Sequence, residues 1–96
     1  MTYANSGERS AVIKGLRGLV DYLESNPVIP APVYVTIHTF PPDGDEWAGM
    51  TADIDAIAAL LGVSAVMTPG GHYAADRSFG PVEYRAVAIP PHYERG

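Results

Sequence analysis

The sequence predicts an α+β domain, a two-layer sandwich in the order α-β-α-β-β-β, with two helices packed on one face of a four-stranded, mostly antiparallel sheet. Three observations predict it. Apolar residues recur at helical spacing over two segments, about 8–24 and 45–61. A β-branched and aromatic run, VYVTIHTF, separates them. The stretch from Thr68 to Ile89 reads as two strands closed by Gly80-Pro81.

In the first helix, Val12, Ile13, Leu16, Leu19, Val20 and Leu23 form one apolar stripe, with Arg9, Lys14, Arg17, Asp21 and Glu24 largely outside it. Asn5 or Ser6 can cap its start, and Glu8 completes a capping box if Asn5 is the cap. Pro27 ends it, because proline disfavours α geometry in the residue before it. An extended connector, PVIPAP, leads into the first strand. There Val33, Val35 and Ile37 point one way, and Tyr34, Thr36, His38 and Phe40 the other. PPDGD then breaks the strand.

Asp43 or Asp45 can cap the second helix, whose stripe is Trp47, Met50, Ile54, Ile57 and Leu61, with Ala58 beside it. Gly62 stands where a helix-terminating glycine belongs. A short strand over Val63–Thr68 follows, and Pro69-Gly70-Gly71 turns the chain into His72–Phe79. Gly80 can supply the positive φ of a type II′ turn, and proline suits the position after it. A two-residue loop fixes the register: Phe79 opposite Val82, Arg77 opposite Tyr84, Asp76 opposite Arg85 and Tyr73 opposite Ala88. One hairpin face then carries Tyr73, Ala75, Arg77, Phe79, Val82, Tyr84, Ala86 and Ala88. The other carries His72, Ala74, Asp76, Ser78, Glu83, Arg85, Val87 and Ile89. Which face meets the helices is left open by the pattern. The strands before and after the second helix should run parallel, and the first strand is placed beside the last.

Ninety-six residues make one domain over 1–96, with a core over about 8–89 and flexible ends at 1–6 and 90–96. A chain this short buries roughly 60–65% of its unfolded surface, enough for one core. The 47% hydrophobic and 18% charged composition is that of a globular chain. The absence of cysteine excludes disulfides and thiolate sites. With no apolar leader and no long apolar run, a cytoplasmic protein without a membrane span is expected. A net charge of −5 and only six Lys and Arg disfavour nucleic acid, whose affinity comes mainly from counterion release.

Chemistry-bearing motifs are sparse. His38, His72 and His92 lack ligand spacing, so no metal and no cofactor is expected. TPGG leads into a strand rather than a helix and is a turn, not a phosphate loop. Ser64 and Ser78 lack a nucleophile elbow. Asp76 and Arg85 read as a structural cross-strand pair before they read as an acid–base pair.

The run GGHYAADRSFGPVEYRAVAIP, with the ESNP helix end, VYVTIHTF and IAALLGV, resembles a block in small uncharacterised proteins of actinobacteria and their phages. The resemblance covers most of the chain. It implies an actinobacterial or phage origin and a cytoplasmic setting, and it brings no activity and no catalytic residues.

Two helices on one side leave the other sheet face free, and an exposed sheet with aromatics suits a partner. The expectation is therefore a protein-binding or accessory protein, acting on another protein or on itself as a homodimer, without catalysis. The candidate contacts are Tyr34, His38, His72, Tyr73, Asp76, Arg77, Glu83, Tyr84 and Arg85, with Tyr84 and Arg77 as anchors. Two other readings stand beside it. One is a nucleic-acid-associated regulator using Arg9, Lys14 and Arg17, or its reverse, an acidic DNA mimic. The other is a small enzyme, which a closed pocket holding His72 and Asp76 would mark.

Overall fold

A computed structural model describes residues 3–42 and 46–91. The described residues fall into two compact units, 4–33, and Tyr3 with those from Tyr34 onward.

The first unit is built on α1, Ser6–Ser25. Asn5 is its cap. The Asn5 side chain accepts from the Glu8 N–H at 2.8 Å, and the Glu8 carboxylate accepts from the Asn5 N–H at 2.9 Å, the reciprocal box that the sequence predicts. At the other end Asn26 donates its amide to the Tyr22 carbonyl, and Pro27 follows. The apolar spacing is there, but none of the helix's residues is buried.

The second unit contains the sheet. Its elements are β1 (Val35–Thr39), α2 (Trp47–Leu61), β2 (Val66–Met67), β3 (Tyr73–Phe79) and β4 (Val82–Ala88). The strand order is β1-β4-β3-β2 in an open, mixed sheet. β1 lies parallel to β4, while β4–β3 and β3–β2 are antiparallel. The first strand is therefore beside the last, as expected. β1 and β2 point the same way from opposite edges, with the hairpin between them.

The hairpin register is the predicted one, from Phe79 opposite Val82 to Tyr73 opposite Ala88. Gly80 has φ +62°, which only glycine adopts readily, and Pro81 holds the next φ negative. The closing turn thus has the sign pattern of type II′.

α2 starts with Glu46 at its cap position, without a side-chain cap bond. Asp43 and Asp45, the expected caps, lie outside the described residues. Its end is a Schellman motif. Gly62, at φ +73°, donates to Ala59, and the Val63 N–H donates to Ala58 at 3.0 Å. This cap uses the residues just after the helix, which is why β2 is shorter than the predicted Val63–Thr68.

The core lies between α2 and the hairpin. Met50, Ile54 and Ala58 are buried against Ala75, Ala86 and Ala88, with Trp47, Ile57, Leu61, Val63, Ala65, Tyr73 and Tyr84 around them. The helix residues are four apart, so they stack on one line of the helix surface. The sheet offers alanines beneath that line, which lets the two backbones come close.

Candidate functional site

The core decides what the sequence left open. The hairpin face of Tyr73, Ala75, Arg77, Tyr84, Ala86 and Ala88 is the one that meets α2. Three expected contact residues therefore lie on the helix side. The Tyr73 hydroxyl donates to the Asp55 carboxylate of α2 at 2.5 Å. That hydrogen bond, ahead of burial and the negative charge of Asp55, raises the Tyr73 phenol above its ordinary range. The Arg77 guanidinium donates to the Leu61 carbonyl at 2.8 Å, bonding a carbonyl in the last turn of α2, and lies 5.7 Å from the Phe79 ring centre. Tyr84 packs against the core. All three, the expected anchors Tyr84 and Arg77 among them, take part in seating α2 on the sheet.

The reverse face gathers the others. β1 pairs with β4 so that Thr36 is beside Glu83 and His38 beside Arg85. Strand alternation puts these four residues on one side with Asp76. Arg85 grips Asp76 with two parallel bonds, Nε to Oδ1 and Nη2 to Oδ2, each 2.9 Å. Glu83 is 3.9 Å from the same guanidinium, and the Thr36 hydroxyl lies 3.4 Å from Glu83. His38 stacks on Phe40, with ring centres 6.1 Å apart and planes at 12°. Tyr34, one alternation before Thr36, is 70% exposed. His72 precedes β3 and donates its N–H to the Thr68 hydroxyl. Ala74 and Val87 are buried although they lie on this face. Both belong to the two central strands, β3 and β4.

The face is thus a polar band, Thr36–Glu83–Arg85–Asp76, flanked by accessible aromatics at the β1 edge. The fork geometry of Arg85 makes its pair with Asp76 stronger than an ordinary surface contact. Asp76→Ala is expected to cost about 1 kcal/mol, and the exchanged pair Asp76→Arg with Arg85→Asp to regain part of it. A double-mutant cycle by urea unfolding reads the coupling, and a coupling of zero would mean that the pair is ornamental.

Among the described residues no group of three His, Asp or Glu side chains could hold a metal ion. His92 lies outside them. A cleft among the described residues is lined by Trp47, Met67, Gly71, Pro90 and Pro91, none of which titrates in the physiological range. His72 and Asp76 are not in its wall, and Asp76 is committed to Arg85. No helix among the described residues is long and apolar enough to cross a membrane. Comparison with protein-family models, curated proteins and solved structures gives no match.

Proposed function

We propose that this domain works by binding, taking a protein partner on the sheet face turned away from α2, as a protein of an actinobacterium or its phage acting in the bacterial cytoplasm. The observation that carries the reading is the sorting of side chains across the sheet. Tyr73, Arg77 and Tyr84 are spent on holding α2. Tyr34, the stacked His38–Phe40 pair and the Glu83–Arg85–Asp76 band are left together on the opposite side. Aromatic and arginine side chains around a polar cluster are the usual composition of a protein-recognition patch. Among the described residues that line the cleft beside Trp47, by contrast, none can exchange a proton at neutral pH.

Affinity capture from an actinobacterial lysate, followed by binding measurements with the isolated partner, tests this. Tyr34→Ala and Glu83→Lys should each weaken the complex, with a Tyr anchor contributing roughly 2 kcal/mol, about thirtyfold. Leu60→Ala, at an exposed position on α2, should leave it unchanged. A complex that tolerates both reverse-face changes but fails with Leu60→Ala would move the site to the helix side.

A further inference from the structure

Among the described residues β1 is an edge strand, with β4 on one side and no strand on the other. The Val35 N–H donates to Pro81 of the loop before β4, 3.0 Å away. In a parallel ladder a residue's N–H and C=O point to the same side and alternate along the strand. Val35, Ile37 and Thr39 therefore turn their backbone groups inward, to β4. Tyr34, Thr36, His38 and Phe40 turn theirs outward, away from β4.

Edge strands that avoid association carry a charge, most often lysine, or an internal proline. The run from Val33 to Phe40 has neither. Its chemistry is also close to palindromic about Ile37. Thr36 balances His38, Val35 balances the equally β-branched Thr39, and Tyr34 balances Phe40. Pro32 precedes the run and Pro41-Pro42 follow it, and lacking an N–H they delimit it at both ends.

We infer that β1 pairs antiparallel with β1 of a second copy of this chain, about a two-fold axis at Ile37, to make one continuous eight-stranded sheet. In that register Thr36 faces the partner's His38, and Tyr34 faces the partner's Phe40. These are the outward-turned residues, so each such pair exchanges two backbone hydrogen bonds. Ile37 meets its own counterpart in a non-hydrogen-bonded pair. No like charges oppose each other, and aromatic faces aromatic, a favourable cross-strand match. A two-fold interface requires one patch to complement itself, and the symmetry of this strand about Ile37 meets that requirement. The inference concerns the edge of the sheet and stands independently of a partner on its face.

The test uses the full chain and its lack of cysteine. Sedimentation or light scattering should give a mass twice the 10.2 kDa of one chain. With Ile37→Cys as the sole thiol, mild oxidation should link two chains. A non-hydrogen-bonded antiparallel pair sets its Cα atoms about 4.5 Å apart, within the reach of a disulfide. Val35→Cys should not link, because the two copies of position 35 would be roughly 13 Å apart along the strands. Thr36→Lys with His38→Lys, and Thr36→Glu with His38→Glu, should each run at 10.2 kDa with an unchanged circular dichroism spectrum, and mixed together they should regain the doubled mass. A wild-type mass of one chain at millimolar concentration overturns the inference. So does equal cross-linking at positions 35 and 37, whatever the fate of the face mutants above.

Discussion

Ile54→Ala should lower the stability of the domain by about 3 kcal/mol, within the roughly 2–5 kcal/mol range for truncating a buried aliphatic side chain. Ile54 is fully buried, and among the buried residues it is the largest enclosed to that degree. It sits in the middle of the Met50–Ile54–Ala58 line, over sheet residues that are nearly all alanine. Alanines cannot move in to fill the space, because they have no further side-chain atoms to reorient. The cavity term should therefore be close to its full value. In a domain whose whole stability is on the order of 5–10 kcal/mol, that loss is a large fraction. A thermal midpoint lower by roughly 10–25 °C is expected. Trp47 is the only tryptophan and packs against this core, so its fluorescence reports the transition directly. Leu60→Ala, on the exposed side of the same helix, is the control, with an effect within about 0.5 kcal/mol. A loss below 1 kcal/mol for Ile54→Ala would mean that α2 is not seated as described.

The second large effect comes from the opposite change. Ala75 and Ala86 face each other across β3 and β4, and neither has any exposed surface. Ala86→Leu would put three further carbon atoms between the sheet and α2. The helix must then lift or the leucine must leave its preferred rotamers, which costs about 1–3 kcal/mol. Lifting the helix would also strain the two hydrogen bonds that tie it down, Tyr73 to Asp55 and Arg77 to the Leu61 carbonyl. Urea unfolding by Trp47 fluorescence should therefore show a lower midpoint, with the native emission shifted to the red. Ala56→Leu, exposed on α2, should show neither change. A stable Ala86→Leu variant with native emission would indicate a loose gap where the structure shows close contact.

The register of the hairpin was legible because a local device sets it. Gly80-Pro81 leaves two residues for the turn, and every pair from Phe79–Val82 to Tyr73–Ala88 follows from that count. The ends of α1 were legible for the same reason, since Asn5, Glu8 and Pro27 act within one turn of the helix. At the start of α2 Glu46 makes no side-chain cap bond, and the signals in the sequence, Asp43 and Asp45, lie outside the described residues. The length of β2 was overestimated because a glycine cap needs several residues after the helix, and the pattern of Val63 and Ala65 resembles a strand whether or not it is one.

The candidate site was half legible. His72, Asp76, Glu83 and Arg85 could be grouped from alternation and register alone, while His38 joins them through the β1–β4 register that the structure supplies. Tyr73, Arg77 and Tyr84 were separable from them as a second set, but nothing in the chain's local pattern says which set a helix will cover. Both sets mix polar groups with small or aromatic ones. The deciding feature is the run of alanines at 75, 86 and 88, whose importance appears only once Ile54 is found above them.

By itself, then, the sequence determined the elements, their order, the pairing of β3 with β4 and the two faces of that hairpin. Each of these follows from interactions between residues close along the chain. Tertiary structure alone decided that Ala75, Ala86 and Ala88 lie beneath α2, that Arg77 bonds a carbonyl in the helix's last turn, and that the α1 stripe carries no buried residue. Burial depends on which distant surface arrives, and an amphipathic pattern records only that some surface should.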